Sequence, residues 1–150
     1  MVGMTAGVNN ANVVIVIGGQ YDIPSASFVG PAAEEIAERY FFDRVFLSTK
    51  GFVPREGTFE SALPTFRIKQ IVVGRGKQVI LLVDYTKFGQ RALSKVLDVS
   101  QIHGVVTDAA TPPHDLAPLR RRGIRVWIAA KDQGDGRGQR AGKCREDQRK

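Results

Sequence analysis

Val79-Ile80-Leu81-Leu82-Val83-Asp84-Tyr85-Thr86-Lys87-Phe88-Gly89 is an apolar run that stops abruptly in a carboxylate, a hydroxyl, an ammonium and a glycine. Five consecutive apolar residues bounded by polar ones read as a strand buried on both faces. In open α/β sheets, ligands bind just beyond the carboxyl ends of the strands. The chain therefore delivers Asp84, Thr86 and Lys87 to the place where a small polar ligand would sit. A hydroxyl and a lysine beside a glycine suit a phosphate. A carboxylate suits sugar hydroxyls, or the lysine itself. The plainer alternative is a charged turn after a strand.

Outward from this run, strands and helices alternate. Val13-Val14-Ile15-Val16-Ile17 is a β-branched run stopped by Gly18-Gly19, and is expected to be a buried strand. Gly30-Pro31 opens a helix, with Pro at the first helical position and Glu34 and Glu35 in the first turn. Val45-Phe46-Leu47 is a short strand ending at Ser48-Thr49-Lys50-Gly51. Residues 52–60, with Pro54 and Gly57, read as loop. Residues 65–74 read as helix, with Pro64 near its start, and a short helix is expected at about 90–96. Gly104 to Asp108 is the next strand, again ending in a carboxylate. Pro112-Pro113 opens a helix running to Gly123, a suitable residue to end it, and Ile124 to Ala129 is the last strand. Apolar strands separated by helices argue an α/β fold, a mostly parallel sheet flanked by helices and covered on both faces.

Composition sets outer limits. A chain of 150 residues, 43% hydrophobic and 25% charged, is expected to form one domain with a sizeable core. The single Cys144 excludes an intramolecular disulfide framework and fits a cytoplasmic location. No apolar stretch approaches the roughly 20 residues of a membrane span, and Met1 to Asn12 does not read as a signal peptide. The net charge of +7 invites a nucleic-acid reading, but residues 131–150 supply seven Lys/Arg against four Asp/Glu. Of the rest, Arg120-Arg121-Arg122 falls at a helix end, where cations favour the helix dipole. No helix-turn-helix, zinc-ligand spacing or aromatic RNA-binding strand is visible. The organisation expected is a flexible segment over 1–12, a domain over 13–130 and a disordered basic tail over 131–150.

Three strand ends converge in this scheme: Gly18-Gly19, Ser48-Thr49-Lys50-Gly51 and Asp84-Tyr85-Thr86-Lys87. In a parallel sheet these ends share one edge. Glycines let a ligand approach the backbone, and exposed amides there can hold phosphate oxygens. Each piece is weak alone, since Gly-Gly after a strand is usually a turn.

These elements, taken in order, resemble a known family. They are Ile15-Val16-Ile17-Gly18-Gly19, Ser27-Phe28-Val29-Gly30-Pro31 with Glu34-Glu35, and Phe42-Asp43-Arg44-Val45-Phe46-Leu47-Ser48. Lys50-Gly51, Lys69, Leu81 to Gly89 and Val105-Val106-Thr107-Asp108 continue the match. Together they resemble the sensor domain of DeoR-type bacterial transcriptional repressors over about residues 13–129. The resemblance implies a fold similar to ribose-5-phosphate isomerase and the CoA transferases, and a phosphorylated sugar or related small metabolite as effector. The effector-binding residues it implies, with the strand ends, are Gly18, Gly19, Ser48, Thr49, Lys50, Gly51, Lys69, Asp84, Thr86, Lys87 and Asp108. It implies no cofactor, no metal, no membrane and a symmetric homo-oligomer. DNA contact is expected only through a winged helix-turn-helix absent from this chain. The helix that usually precedes the first strand is also absent, which leaves one sheet face thinly covered. Two positions depart from the family pattern. Pro64 and Thr65 stand where a Glu is usual before the helical lysine, and Lys50 stands where many members have Asp.

Two function classes follow. The first is a non-catalytic sensor whose effector shifts a repressor's conformational equilibrium. The second is a sugar-phosphate isomerase on the same fold, with Asp84 or Asp108 as general base. His103 and His114 read as surface residues rather than catalysts. The family pattern favours the sensor.

Overall fold

The structure is a computed structural model that describes residues 13–129. The segments expected over 1–12 and 131–150 lie outside the described residues. In chain order, β1 (Gln20–Asp22) and β2 (Ser27–Val29) form a hairpin, followed by α1 (Pro31–Glu38), β3 (Phe42–Leu47), β4 (Gly51–Val53) and β5 (Gly57–Glu60). Then come α2 (Leu63–Gly74), β6 (Gly76–Leu82), a 3₁₀ turn (Tyr85–Lys87), β7 (Ser94–Asp98) and a second 3₁₀ turn (Val99–Gln101). β8 (Gly104–Asp108), α3 (Pro113–Arg121) and β9 (Arg125–Ala129) complete the order.

Strands β3, β6, β8 and β9 form one wholly parallel sheet in that order. The deciding run is the central strand β6, and the Val83 amide extends its ladder by donating to the Val106 carbonyl. All three helices carry a proline in the first turn, where the missing N–H costs nothing. Alternation along β6 sends Val79, Leu81 and Val83 to one face. There they meet Val105, the α3 residues Leu116 and Leu119, the α2 residue Val73, and Val96 and Leu97 of β7.

Among the described residues the opposite face is open, which corrects the expectation of cover on both sides and agrees with the thin cover of one face that was also expected. Phe46 is 56% exposed and Trp127 43% exposed on that face, beside Arg44, Gln78 and Arg125. Trp127 lies across Gly104, where a Cβ would come within 2.4 Å of the indole ring.

Three further expectations fail. The run Val13–Ile17 forms no strand: Val13 is 91% and Ile15 63% exposed. A strand needs a neighbour to satisfy its backbone groups, and none lies beside this run among the described residues. Only Ile17 packs, against the Ala33, Ala37 and Ile68 cluster of α1 and α2. The segment 52–60 is not a loop but the antiparallel hairpin β4–β5, in which Pro54 and Gly57 flank the tip. The helix expected at 90–96 is instead an extended segment leading into β7, which pairs antiparallel with β5. Val96 and Leu97 are both buried there, and Arg91 is held to Glu56 of the hairpin.

Candidate functional site

The carboxyl ends of β3 and β6 open onto a cavity of about 520 Å³. Ser48, Thr49 and Lys50 follow β3, and Val83, Asp84 and Lys87 follow β6. Because both strands run parallel, both exits reach the same edge. The β1–β2 hairpin contributes Pro24, Ser25 and Ser27, and β5 contributes Glu60. Ser61, Ala62, Thr65 and Lys69 come from the start of α2 and its second turn.

Six of the eleven residues expected at the site thus line one cavity: Ser48, Thr49, Lys50, Lys69, Asp84 and Lys87. The other five stand outside its lining. Thr86 is taken up by the cap of its 3₁₀ turn, which Asp84 supplies: the Thr86 backbone N–H donates to Asp84 Oδ1 at 2.9 Å, and its hydroxyl donates to the same oxygen. Asp108 braces two turns, accepting from the Tyr85 N–H at 2.8 Å and the Ala110 N–H at 2.7 Å. Gly51 permits a close approach of chains, since a Cβ there would lie 2.4 Å from the Gln90 carbonyl oxygen. Gly19, at φ +120, turns the chain into the β1–β2 hairpin, where a Cβ would lie 2.8 Å from the Val29 carbonyl oxygen. Gly18 lies beside it.

The polar groups of the cavity fall into two kinds. Some are fixed by the fold. The buried Thr49 hydroxyl contacts the carbonyl oxygens of Gly51 (3.0 Å) and Phe59 (2.8 Å), tying β3's exit to the hairpin. Lys69 donates to the Ser48 carbonyl at 2.8 Å and is ion-paired with Glu60. Asp84 is held below the usual carboxylate range, first by the Thr86 hydroxyl, then by the Thr86 N–H and the nearby Lys87 ammonium. Others are uncommitted. Lys50 and Lys87 make no ion pair with any described residue. The first turn of α2 carries no side-chain cap, and since Pro64 brings no N–H, the Leu63 and Thr65 amides are the ones left for an anion.

Sequence reasoning missed Glu60 and the serines Ser25, Ser27 and Ser61. The serines sit in short connections with no spacing signal. Glu60 was hidden because its segment read as loop. The carboxylate that the family pattern places just before the helical lysine is missing at Pro64 and Thr65, and Glu60 brings one to Lys69 from β5 instead. His103 is structural: its Nδ1 accepts from the Val79 N–H at 3.2 Å. Among the described residues, no group of three or more His, Cys, Asp or Glu stands together as a metal site, and no helix is long and apolar enough to cross a membrane.

Comparison with known proteins agrees with this arrangement. The model of the DeoR C terminal sensor domain matches residues 4–109. An uncharacterized HTH-type transcriptional regulator of Bacillus subtilis, YulB, is 32% identical over 119 residues, covering 79% of this chain and 46% of the relative. A putative aga operon transcriptional repressor of Escherichia coli O157:H7 is 27% identical over 136 residues, covering 85% of this chain and 51% of the relative. The glycerol-3-phosphate regulon repressor of Escherichia coli K12 is 25% identical over 99 residues, 66% of this chain and 39% of the relative. The chain spans about half the length of the first two of these curated relatives. With its parallel sheet, its strand-end cavity and the family model matching more than two thirds of its length, the chain belongs to the DeoR C-terminal sensor domain family.

Proposed function

We propose that this chain is an effector-sensing domain that binds a phosphorylated sugar in the cavity beyond β3 and β6, and that it does no chemistry on it. One observation carries the reading. Two uncommitted ammoniums, Lys50 and Lys87, share a cavity with an uncapped helix N-terminus and a ring of hydroxyls and carboxylates. Lysines and helix N–H groups suit a phosphate. Serine hydroxyls and ionised carboxylates suit a polyol, because an ionised acceptor strengthens a hydroxyl hydrogen bond. A cavity of about 520 Å³ is within the range of small-molecule sites. One relative carries a phosphorylated polyol in its name, the glycerol-3-phosphate regulon repressor.

In this reading the effector acts by binding two states of a repressor with different affinity, since equal affinity would shift nothing. The repressor is a homo-oligomer that contacts DNA through a separate helix-turn-helix. Asp84 and Asp108 serve as acceptors that shape the strand-end turns, not as proton shuttles. A thermal-shift screen against pentose and hexose phosphates tests the binding, because a ligand of the native state raises its stability. At least one sugar phosphate should raise Tm, and the matching free sugar should not. Solvent-deuterium exchange into the bound sugar tests the absence of chemistry. Incorporation that disappears in Asp84→Asn would make this chain an isomerase instead.

A further inference from the structure

We infer that Glu60 reads the effector's hydroxyls, and that it bars a phosphate from Lys69 while admitting a hydroxyl beside it. The inference rests on the cavity being a phosphorylated-sugar site, as proposed above. Of the three lysines in the cavity, Lys69 alone is engaged by the fold, donating to Glu60 Oε1 and to the Ser48 carbonyl. The pair is largely withdrawn from water, with the Glu60 side chain 7% exposed and that of Lys69 18% exposed. Glu60 Oε2 accepts no hydrogen bond from the described residues. No fully buried side-chain oxygen among them lacks a partner, so Oε2 keeps some contact with solvent, and Glu60 is a lining residue of the cavity.

Two consequences follow. A phosphate that reached Lys69 would meet the Glu60 carboxylate at short range, in surroundings where charges are weakly screened. Taking Lys69 for itself would leave that carboxylate buried without a counter-charge, a strongly unfavourable state. The phosphate therefore belongs with Lys50 and Lys87, and the part of the effector beside Glu60 is a neutral hydrogen-bond donor. A ligand with no hydroxyl there strips water from Oε2 and returns nothing, so the site rejects it.

Isothermal titration of the full chain with matched ligands tests this. Ribose 5-phosphate is paired with n-pentyl phosphate, and glucose 6-phosphate with n-hexyl phosphate. The members of each pair have the same charge and similar length, and only the sugars carry hydroxyls. The unmodified chain should prefer at least one sugar over its alkyl partner by tenfold or more. Glu60→Gln should weaken that sugar by about tenfold. It should leave the alkyl phosphate unchanged or tighter, because Lys69 becomes available to the phosphate. Glu60→Asp, which keeps the charge and draws the carboxylate back by one methylene, should shrink the preference in the same direction if Gln is not tolerated. A sugar-to-alkyl ratio unchanged within twofold in either folded variant would overturn the role of Glu60 and leave the phosphorylated-sugar reading standing. No binding of any phosphate ester by the unmodified chain would overturn both.

Discussion

Val13-Val14-Ile15-Val16-Ile17 and Val79-Ile80-Leu81-Leu82-Val83 are both runs of five aliphatic residues, and their fates are opposite. The second lies between β3 and β8 in the parallel sheet, with Leu81 1% exposed. The first joins no ladder and is mostly in water. Strand propensity measures how well a side chain fits a pleated, half-buried surface, so it has force only where a neighbouring strand supplies that surface. The runs also end differently. Beyond β6 the chain delivers Asp84 and Lys87 to the cavity, whereas beyond Ile17 the glycines turn it into a hairpin that brings Ser25 and Ser27 there.

Substitution can break this contrast at several points. Leu81→Ala empties a fully enclosed position and should cost about 2–5 kcal/mol in urea unfolding. Ile15→Ser should stay within about 0.5 kcal/mol, as exposed substitutions do. Equal losses in the two variants would mean that the first run is packed in solution after all.

The glycines that follow the apolar runs Val13–Ile17 and Val45–Leu47 separate in the same way. Gly51→Ala would press a methyl group onto the Gln90 backbone and should destabilise by about 1–3 kcal/mol. At Gly18 the nearest atom, the end of the Ile36 side chain, is 4.0 Å from a Cβ, so Gly18→Ala should lie within about 0.5 kcal/mol of the unmodified chain. A reversed order would place the close packing beside the β1–β2 hairpin rather than at the start of β4.

A smaller effect belongs to the turn after β6. Its hydrogen bonds from Thr86 hold the Asp84 carboxyl below its ordinary value of 3.8. A lowered value in the folded state means a contribution to stability that is present above 3.8 and is lost as the pH falls through the folded value. An NMR titration should therefore give Asp84 a midpoint below 3.8, moving upward in Thr86→Ala. A midpoint at or above that value would mean that the Thr86 bonds do not form.

How much of this was legible in the sequence depended on whether the signal was local. β6, β8, β9 and the three helix starts followed from apolar runs and prolines, which act over a few residues. The cavity residues at the ends of β3 and β6 followed from strand direction alone. Glu60 and the serines were not legible, because their place depends on the hairpin β4–β5 and on β1–β2, which are tertiary matters. Turn residues concealed the first of these: Pro54 and Gly57 read as loop although they only flank a hairpin tip. The fate of Val13–Ile17 was equally non-local, since no neighbouring strand pairs with it among the described residues. Thr86 and Asp108 stood at the right strand ends, but backbone N–H groups already occupy the Asp108 carboxylate, and the Thr86 hydroxyl is spent on Asp84.

The central claim is that the edge beyond β3 and β6 holds a phosphate, and Lys87 is its most direct test. Isothermal titration of the sugar phosphate that most raises Tm should show binding to the unmodified chain. In Lys87→Ala that binding should be weaker by roughly 1–3 kcal/mol, the scale of one lost hydrogen bond to a charged group. Unchanged affinity in a folded Lys87→Ala variant would contradict the account.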